Sequence, residues 1–342
     1  MRRINVSFPD DHCGRGTNFG WRAVVTRFLI LLGGLLPFGG AHAQTYPAKP
    51  VRFIVIVATG GGLDATARFI AARLVPKLGQ QVIVENRVGA GGNIAAQYVA
   101  HSPPDGYTLL LTSNGHTLNP LIYATPGYDP QKDFVPVMEL TEGPVVLVTQ
   151  PNAPFKTLKD VVDAAQAKPD SLSYAHGGLG LPPHIAMEMF KQAANVEIVS
   201  VAYKGAGPAV QDVLGGHIPL AMLSLAGATP HIAAGRLRAL VSSGATRWPT
   251  LPEVPTMIEM GYPDVVYLNW QGILAPAGTP PEIVARLQKE IAAVLAEADV
   301  KEFLNGIGAA PVASKPTDFE SMLKADDIAN QKIVSKLKLK VD

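Results

Sequence analysis

Two glycine-rich turns, each between an apolar run and a helix-like segment, are the parts of this chain best suited to bind a ligand. The first turn is ATGGGLD at residues 58–64, and the second is VGAGGN at residues 88–93. Glycine lets backbone N–H groups crowd together where a helix begins, and helix N-termini attract anions without any charged side chain. The turns therefore predict an anion site, in which the anion is either a cofactor phosphate or a free carboxylate.

The first turn also matches the dinucleotide-binding pattern G-x-G-x-x-A, as GGGLDA from Gly60 to Ala65, and Glu85 ends the next predicted strand. In that fold an acidic residue at such a position binds a ribose hydroxyl. Asp64 argues against a cofactor, because it adds negative charge beside the place of the pyrophosphate. Nicotinamide cofactors are also cytoplasmic, whereas the leader described below predicts export. An exported Rossmann-like oxidoreductase stays an alternative, and a free carboxylate is favoured.

Other catalytic patterns are missing from the sequence. It contains no G-x-S-x-G nucleophile elbow, no P-loop and no H-E-x-x-H motif, and its eight histidines show no metal-ligand spacing. A single histidine at a predicted helix start, such as His184, is typical of a capping or packing residue. We therefore predict no catalytic residue, no metal and no cofactor, and hence a protein that is not an enzyme.

Three further polar or glycine-rich turns follow predicted strands. They are TSNGHT at 112–117, AHGGLG at 175–180 and AYKGAGP at 202–208. In an open parallel sheet the strand ends lie at the carboxyl edge, where ligands bind. One such turn is typical of a tight connection, but five at the same edge indicate a binding site.

The N-terminal segment predicts export. Two arginines, Arg22 and Arg27, precede the apolar run 28–36, and the small-residue sequence Ala-His-Ala ends at Ala43, which is the pattern of a cleaved signal peptide over residues 1–43. Cleavage would remove the only cysteine, Cys13, and would leave 299 residues with 24 Lys and Arg against 26 Asp and Glu, a net charge of −2. That balance argues against a nucleic-acid partner, which requires a basic surface.

Strand-like and helix-like segments alternate from residue 51 onward. Strands are predicted at 51–57, 81–85 and 107–112, with helices at 63–78 and 94–101 between them. This order predicts an α/β fold with mostly parallel sheets. The alternation continues, with strands predicted at 145–149, 173–175, 198–202, 220–223, 237–242 and 265–270, and helices at 157–167, 184–194, 207–214 and from Pro280.

An ordered series of short motifs resembles one protein family. The motifs are YPAKPVR at 46–52, GGLD at 61–64 with AR at 67–68, LGQQ at 78–81, VENR at 84–87, GAGGN at 89–93, PDGYTL at 104–109, YKG at 203–205 and PAGTP at 276–280. Together they resemble the exported solute-binding proteins of tripartite tricarboxylate transporters, the Bordetella uptake gene family. The resemblance covers nearly the whole chain after residue 46.

The resemblance implies a two-lobe, Venus-flytrap fold of the periplasmic-binding-protein type, with a mostly parallel sheet in each lobe. Lobe 1 would contain residues 46–144 and 266–342, and lobe 2 would contain residues 145–265, with the ligand cleft between them. The implied function is capture of a small organic carboxylate in the periplasm for a membrane permease of the tripartite tricarboxylate type, by a protein that we expect to be a monomer. A ligand-sensing protein that docks onto a receptor kinase would carry the same sequence features.

The family binds its carboxylate with backbone amides and helix N-termini, often without an ionic partner, so the implied site residues come from the turns. Asp64, Glu85 and Arg87 are expected to fix loops rather than to touch the ligand. The predicted ligand-binding residues are Thr59, Gly60, Gly61, Gly62, Ser113, Asn114, Thr117, Gly177, Gly178, Gly180, Tyr203, Lys204, Gly205, Ala206 and Ser224.

This chain departs from the family pattern in ways that make the site less polar. Thr59 stands where the first turn usually carries a proline, Leu179 and Leu181 replace small polar residues, and the pair Leu223-Ser224 replaces a frequent Asp-Asn pair. These differences predict a carboxylate with an apolar or aromatic body rather than a hydroxylated tricarboxylate such as citrate.

Overall fold

The computed structural model describes residues 46–340, which contain ten strands and ten α-helices. The strands are β1 (Val51–Val55), β2 (Val82–Asn86), β3 (Thr108–Ser113), β4 (Phe134–Thr149), β5 (Ser173–His176), β6 (Val199–Ala202), β7 (Leu220–Ser224), β8 (Arg238–Ser242), β9 (Leu268–Pro276) and β10 (Ala310–Pro311). The helices are α1 (Gly62–Leu78), α2 (Asn93–Ala100), α3 (Gly115–Ile122), α4 (Leu158–Ala167), α5 (Pro182–Ala194), α6 (Ala206–Leu214), α7 (Leu225–Ala233), α8 (Pro281–Leu295), α9 (Ala298–Gly306) and α10 (Pro316–Leu337), and a 3₁₀ turn spans Ala90–Gly92.

The strands form one curled, mixed sheet in the order β2-β1-β3-β9-β4-β7-β5-β6, and β8 and β10 pair with β4 outside that path. Each end of the sheet is a parallel triplet, β2-β1-β3 at one end and β7-β5-β6 at the other. The two central strands, β9 and β4, are antiparallel to all their neighbours. The α/β prediction is therefore confirmed, and the parallel strands lie in two groups joined by an antiparallel centre.

The strand β4 joins the two groups of strands. Its residues 134–144 pair with β9, and its residues 145–149 pair with β7. β4 has 16 residues, far more than the usual five or six, and this length allows a single strand to pair in both halves of the sheet. Around the first half, α1, α8 and α9 pack on β1, β3 and β9, and around the second half α4 and α5 cover β5 and β7.

The helix boundaries follow local chemistry that the sequence displays. The helix α1 ends at Gly79, whose φ of 68° is left-handed and therefore favours glycine. The helix α4 begins with a capping box, in which Thr157 accepts from the Asp160 N–H and the Asp160 side chain accepts from the Thr157 N–H. The helices α5, α8 and α10 each have proline in the first turn, where its missing N–H costs nothing.

Most predicted elements are found within a few residues of their expected ends. The sequence patterns did not predict α3, α7, α9, α10, β10 or the first half of β4, and the strand predicted at 265–270 begins only at Leu268. The predicted signal peptide at 1–43 lies outside the described residues. None of the helices in the described part combines the length and the apolar character needed to cross a bilayer.

Candidate functional site

The N-termini of α1, α6 and α7 meet at one point. A Cβ added to Gly62, the first residue of α1, would lie 2.7 Å from the Cβ of Ala226 and 3.2 Å from the Oγ of Ser224, both at the start of α7. A Cβ on Gly61 would lie 3.9 Å from the Cβ of Ala206, which begins α6. Side chains at positions 61 and 62 would thus come between the helix ends, and glycine allows the backbones to approach closely.

A narrow pocket of about 50 Å³ lies at this meeting point. None of its lining residues carries a charge, and they are Val57, Gly61, Gly62, Leu63, Ser113, Gly177, Leu181, Pro182, Pro183, Ala206, Leu223, Ser224 and Asn269. We call this cavity the inner pocket.

Backbone donors and helix dipoles supply the positive potential of the inner pocket. The first N–H groups of any helix have no acceptor four residues earlier, and each N-terminus carries about half a positive charge. No side chain caps α1, α6 or α7, so these donors are left for a ligand. Three uncapped N-termini around one cavity make a site that favours an anion.

The helix α5 contributes an apolar wall instead of donors. Its first two residues, Pro182 and Pro183, have no N–H, and the His184 N–H is already bonded to the Leu181 carbonyl at 2.9 Å. Leu181 occupies the N-cap position, where Ser, Thr, Asp and Asn are preferred because their side chains accept from the helix. The wall formed by residues 181–183 therefore contacts the body of a ligand rather than its charge.

Two buried polar side chains face the inner pocket without partners. Ser113, at the end of β3, is 5% exposed, and Asn269, on β9, is 8% exposed. No hydrogen bond among the described residues engages either side chain, although buried polar groups are normally bonded. Asn269 was not predicted as a site residue, and its signal in the sequence was a polar residue inside a strand-like segment.

A second cavity, the outer pocket, adjoins the first and shares Val57, Gly177 and Leu181 with it. Its volume is about 290 Å³, and it lies between the second glycine turn, Val88 to Gly92, and the turns at 177–179 and 202–205. Lys204 is its single charged lining residue and is exposed. The second glycine turn, whose glycines have φ values of 131°, 63° and 108°, thus forms the side of the outer pocket.

Asp64 is bound within the first turn. Its carboxylate accepts from the Gly60 N–H at 3.1 Å, from Arg68 Nε at 3.1 Å and from Asn86 Nδ2 at 2.8 Å. Burial by itself raises the pKa of the Asp64 carboxyl, but these hydrogen bonds outweigh burial and hold the pKa below its usual value. The charge is therefore fixed in place and tied to the turn.

Glu85 and Arg87 are bonded to each other at the end of β2. Glu85 accepts from Arg52 at 2.5 Å and from Arg87 Nε at 2.6 Å, and the Arg87 guanidinium lies 3.5 Å from the centre of the Tyr98 ring. The hydrogen bond from Arg52 is the main reason that the pKa of Glu85 is lowered. Because both oxygens of Glu85 are engaged, the residue is not placed to bind a ribose.

Two histidines hold the turn at 177–180, which lines both pockets. His176 Nε2 lies 2.9 Å from Ser200 Oγ and its Nδ1 lies 3.0 Å from the Gly178 carbonyl, while His184 Nδ1 accepts from the Gly180 N–H at 3.3 Å. Burial lowers the pKa of His176 to about 3 and that of His184 to about 4. Both rings are consequently neutral at ordinary pH, as an accepting Nδ1 requires.

The predicted ligand-binding residues fall into three groups. Gly61, Gly62, Ser113, Gly177, Ala206 and Ser224 line the inner pocket. Gly178, Tyr203, Lys204 and Gly205 line the outer pocket, which Gly177 also borders. Thr59, Gly60, Asn114, Thr117 and Gly180 line neither.

Asn114 and Thr117 lie outside both pockets because their side chains are bonded elsewhere. Asn114 donates to the Leu268 carbonyl at 3.0 Å and accepts from the Trp270 N–H at 3.1 Å, so it joins the end of β3 to β9. Thr117 donates to Asp326 on α10. A polar residue after a strand can thus bind a neighbouring strand or helix as readily as a ligand, and the sequence alone did not distinguish the two.

Three carboxyl groups lie where β4 and β9 pair under α10. Glu139 and Glu142 are on β4, and Asp326 accepts from Trp270 Nε1 on β9 at 3.2 Å. Burial, followed by the charges of Glu142 and Asp326, raises the pKa of Glu139 to about 7. Burial also raises the pKa of Asp326. This part of the sheet therefore disfavours a further negative charge.

A pocket in an α/β fold that is bordered by helix N-termini and neutral side chains is typical of binding proteins for small anionic solutes. Residues 66–339 match the family described as "Tripartite tricarboxylate transporter family receptor". The chain belongs to this family, as its resemblance predicted.

Relatives and solved structures agree with that assignment. The protein BugT of Bordetella pertussis is 37% identical over 310 residues, which cover 89% of this chain and 95% of BugT. Rpa4515 of R. palustris, in a structure with adipate, is 36% identical, with a TM-score of 0.83 over 86% of this chain and 99% of that chain. MatC of Rhodopseudomonas palustris, in a structure with bound malate, is 33% identical, with a TM-score of 0.81 over 84% of this chain and 100% of that chain.

Proposed function

We propose that this protein is a periplasmic receptor that closes on a small organic carboxylate and delivers it to a membrane permease of the tripartite tricarboxylate type. The observation that carries the proposal is the meeting of three uncapped helix N-termini at an inner pocket without charged side chains. In such a pocket, amide dipoles stabilise a carboxylate from which water has been excluded.

The relatives support the ligand class and the partner. Adipate and malate, which occur in the structures of two relatives, are both small carboxylates. The family description supports a transporter as the partner. We further propose export by cleavage near Ala43, a monomeric state, and a hinge between lobe 1 (46–144 and 266–342) and lobe 2 (145–265), with Thr59 to Gly62, Ser113, Gly177 to Gly180, Tyr203 to Ala206 and Ser224 around the cleft.

The lining of the inner pocket supports a ligand with an apolar body. Leu63, Leu181 and Leu223 line it together with the two prolines of α5, and these groups cannot bond the several hydroxyl and carboxylate oxygens of citrate. Burying such oxygens without partners is costly. The proposed ligand therefore presents one carboxylate to the helix N-termini and an apolar or aromatic surface to the wall at 181–183.

The structure offers no support for the alternative of a nicotinamide-dependent enzyme. Asp64 and Glu85, which would meet the pyrophosphate and the ribose, are both engaged in hydrogen bonds within the first half of the sheet. No comparison gives support to an oxidoreductase or to a receptor-kinase partner.

Binding is best tested with residues 44–342, since the described residues form one compact unit of their own. A thermal-shift screen followed by calorimetry should compare adipate, phenylacetate, benzoate, malate and citrate, with NAD as a negative control. A binder raises the melting temperature by mass action without being consumed. We expect phenylacetate or benzoate to bind at least tenfold more tightly than citrate.

Two outcomes would contradict the proposal at different levels. Citrate binding, with the apolar acids inert, would refute the apolar body while keeping the carboxylate receptor. Failure of every carboxylate, or a shift with NAD, would refute the receptor itself.

A further inference from the structure

Asn269 and Ser113 form a neutral polar wall of the inner pocket, which the helix N-termini also border. In the antiparallel pair of β3 and β9, Ser113 is paired with Gln271, and Asn269 lies two residues from Gln271 along the same strand. Since side chains two apart on a strand share a face, Ser113 and Asn269 lie on the same face of the sheet. Both line the pocket, and both are more than nine-tenths buried and unbonded among the described residues.

The polar atoms of both side chains reach the open pocket and have no protein partner there, so they are left to water or a ligand. Together they offer donors and acceptors at no net charge. A ligand that places a hydrogen-bonding group between them would satisfy both, whereas an apolar end would leave both unbonded.

The lining of the inner pocket offers a second carboxylate beside this wall no compensating charge. In the pairing of β4 with β9, Glu142 lies opposite Trp270, and side chains at neighbouring strand positions face opposite sides of the sheet. Glu142 and Asp326, which bonds Trp270, therefore lie behind the wall, on the other face of the sheet, and leave the pocket side without charge. None of the residues that line the inner pocket is a cation that could compensate a second carboxylate there.

We propose that Asn269, together with Ser113, determines specificity by binding an uncharged hydrogen-bonding group of the ligand, such as a carboxamide, hydroxyl or ketone, in preference to a second carboxylate. The inference rests on the proposed function and deepens it, because it assigns a second polar group of the ligand beside the carboxylate. A polar group matched by buried partners is selected strongly over an analogue that lacks it.

Four small acids of nearly the same shape test the proposal. Succinamate and succinate differ only in carrying an amide or a carboxylate at the far end, 4-oxopentanoate carries a methyl ketone there, and pentanoate carries neither. We expect calorimetry on residues 44–342 to give at least tenfold tighter binding for succinamate than for succinate or pentanoate, with 4-oxopentanoate between them. The longer pair glutaramate and glutarate repeats the comparison for a deeper ligand.

Variants assign the preference to the wall. Asn269→Leu should reduce the advantage of succinamate over pentanoate to less than twofold, by weakening succinamate binding and strengthening pentanoate binding, because leucine replaces an amide that pentanoate leaves unbonded. Ser113→Ala removes one oxygen with little change in packing and should lower the same advantage at least threefold. It keeps the test decisive if Asn269→Leu does not fold. Asn305→Leu, at an exposed position on α9, is the matched control and should change nothing.

Succinate binding more tightly than succinamate, or an advantage that survives both Asn269→Leu and Ser113→Ala, would overturn the inference. If none of the four acids is discriminated while adipate or an aromatic acid still binds, only this inference fails. If no carboxylate binds at all, the proposed function fails with it.

Discussion

Replacing Gly62 by alanine should weaken ligand binding without weakening the fold. Gly62 has ordinary helical geometry at the start of α1, so alanine is tolerated locally and, by helix propensity, favours α1 by up to about 1 kcal/mol. The new Cβ, however, would lie 2.7 Å from the Cβ of Ala226 and 3.1 Å from the backbone nitrogen of Gly227. Under the proposed function these two residues belong to the opposite lobe, so the clash arises only on closure.

The size of the effect follows from the distances. Carbon atoms in contact normally lie about 3.5–4.0 Å apart, so closure around alanine must be incomplete or must displace α7. Overpacking of this kind costs about 1–3 kcal/mol, which corresponds to about 5- to 150-fold in Kd if binding requires the closed form.

Calorimetry with a carboxylate that binds the unmodified protein measures the loss, and thermal melts without ligand measure stability. Gly61→Ala is the matched neighbour, because its Cβ would meet nothing closer than 3.7 Å. Gly306→Ala is a remote control, since a Cβ there meets no atom within 4 Å. Adding Ala226→Gly to Gly62→Ala removes the nearest clash and should restore most of the affinity.

Two results would refute this reasoning. The first is a Kd for Gly62→Ala within twofold of the unmodified protein, which would mean that α1 and α7 do not approach when the ligand binds. The second is a parallel fall in ligand-free melting temperature, which would mean that the contact belongs to the resting fold.

Three further changes follow from the buried charges. The pKa of Glu139 is raised to about 7, so the folded state keeps this carboxyl protonated below that pH, and its ionisation at higher pH destabilises the fold. Glu139→Gln should therefore stabilise the protein by about 2 kcal/mol at pH 8, measured as a higher melting temperature, and hardly at pH 5. The pKa of His184 is lowered to about 4, so its neutral form stabilises the fold above about pH 6.5, and this stabilisation is lost as the pH falls toward 4. His184→Asn can still accept from the Gly180 N–H and should keep ligand affinity. His184→Leu cannot, and it should reduce ligand affinity at least fivefold at pH 7. Asp64→Ala should cost about 1–3 kcal/mol in chemical denaturation and weaken binding, because the Gly60 N–H and Arg68 lose their acceptor, and an unchanged melt would show that the carboxylate does not hold the turn.

The sequence predicted the parallel parts of the fold well because their signals are local. The apolar run at β1, the amphipathic repeat of α1 and the glycine at residue 79 each follow from a few neighbouring residues. The first half of β4 was not predicted because Pro136, Glu139 and Glu142 interrupt its apolar pattern, and its strand geometry depends on pairing with β9, over a hundred residues later. The short helices α3 and α7 contain Pro120 and Pro230, which obscure their helical pattern.

The site residues also divide into those with a local sequence signal and those whose role depends on distant contacts. The turns that form the inner pocket could be predicted from sequence, because glycine at a strand-to-helix junction indicates that the backbone approaches a ligand or another segment closely. Asn269 was not visible, because its role depends on the register of β9 beside β3. Thr117 lies outside the pockets for a related reason, since its partner Asp326 is on the last helix of the chain. Strand ends can be predicted from local sequence, but the partners of polar side chains there depend on contacts between distant segments.

The position of β9 has a consequence for how the chain acquires its structure. β9 lies between β3 and β4, so the half of the sheet that begins at residue 51 is incomplete until residue 276 has been synthesised. The α8 helix, which covers the same half, follows still later. Such long-range pairing slows folding, because a large loop must close before its contacts form. Under the export proposed above, this delay would keep the N-terminal part unfolded, and so able to be translocated, until the C-terminal strands and helices have crossed.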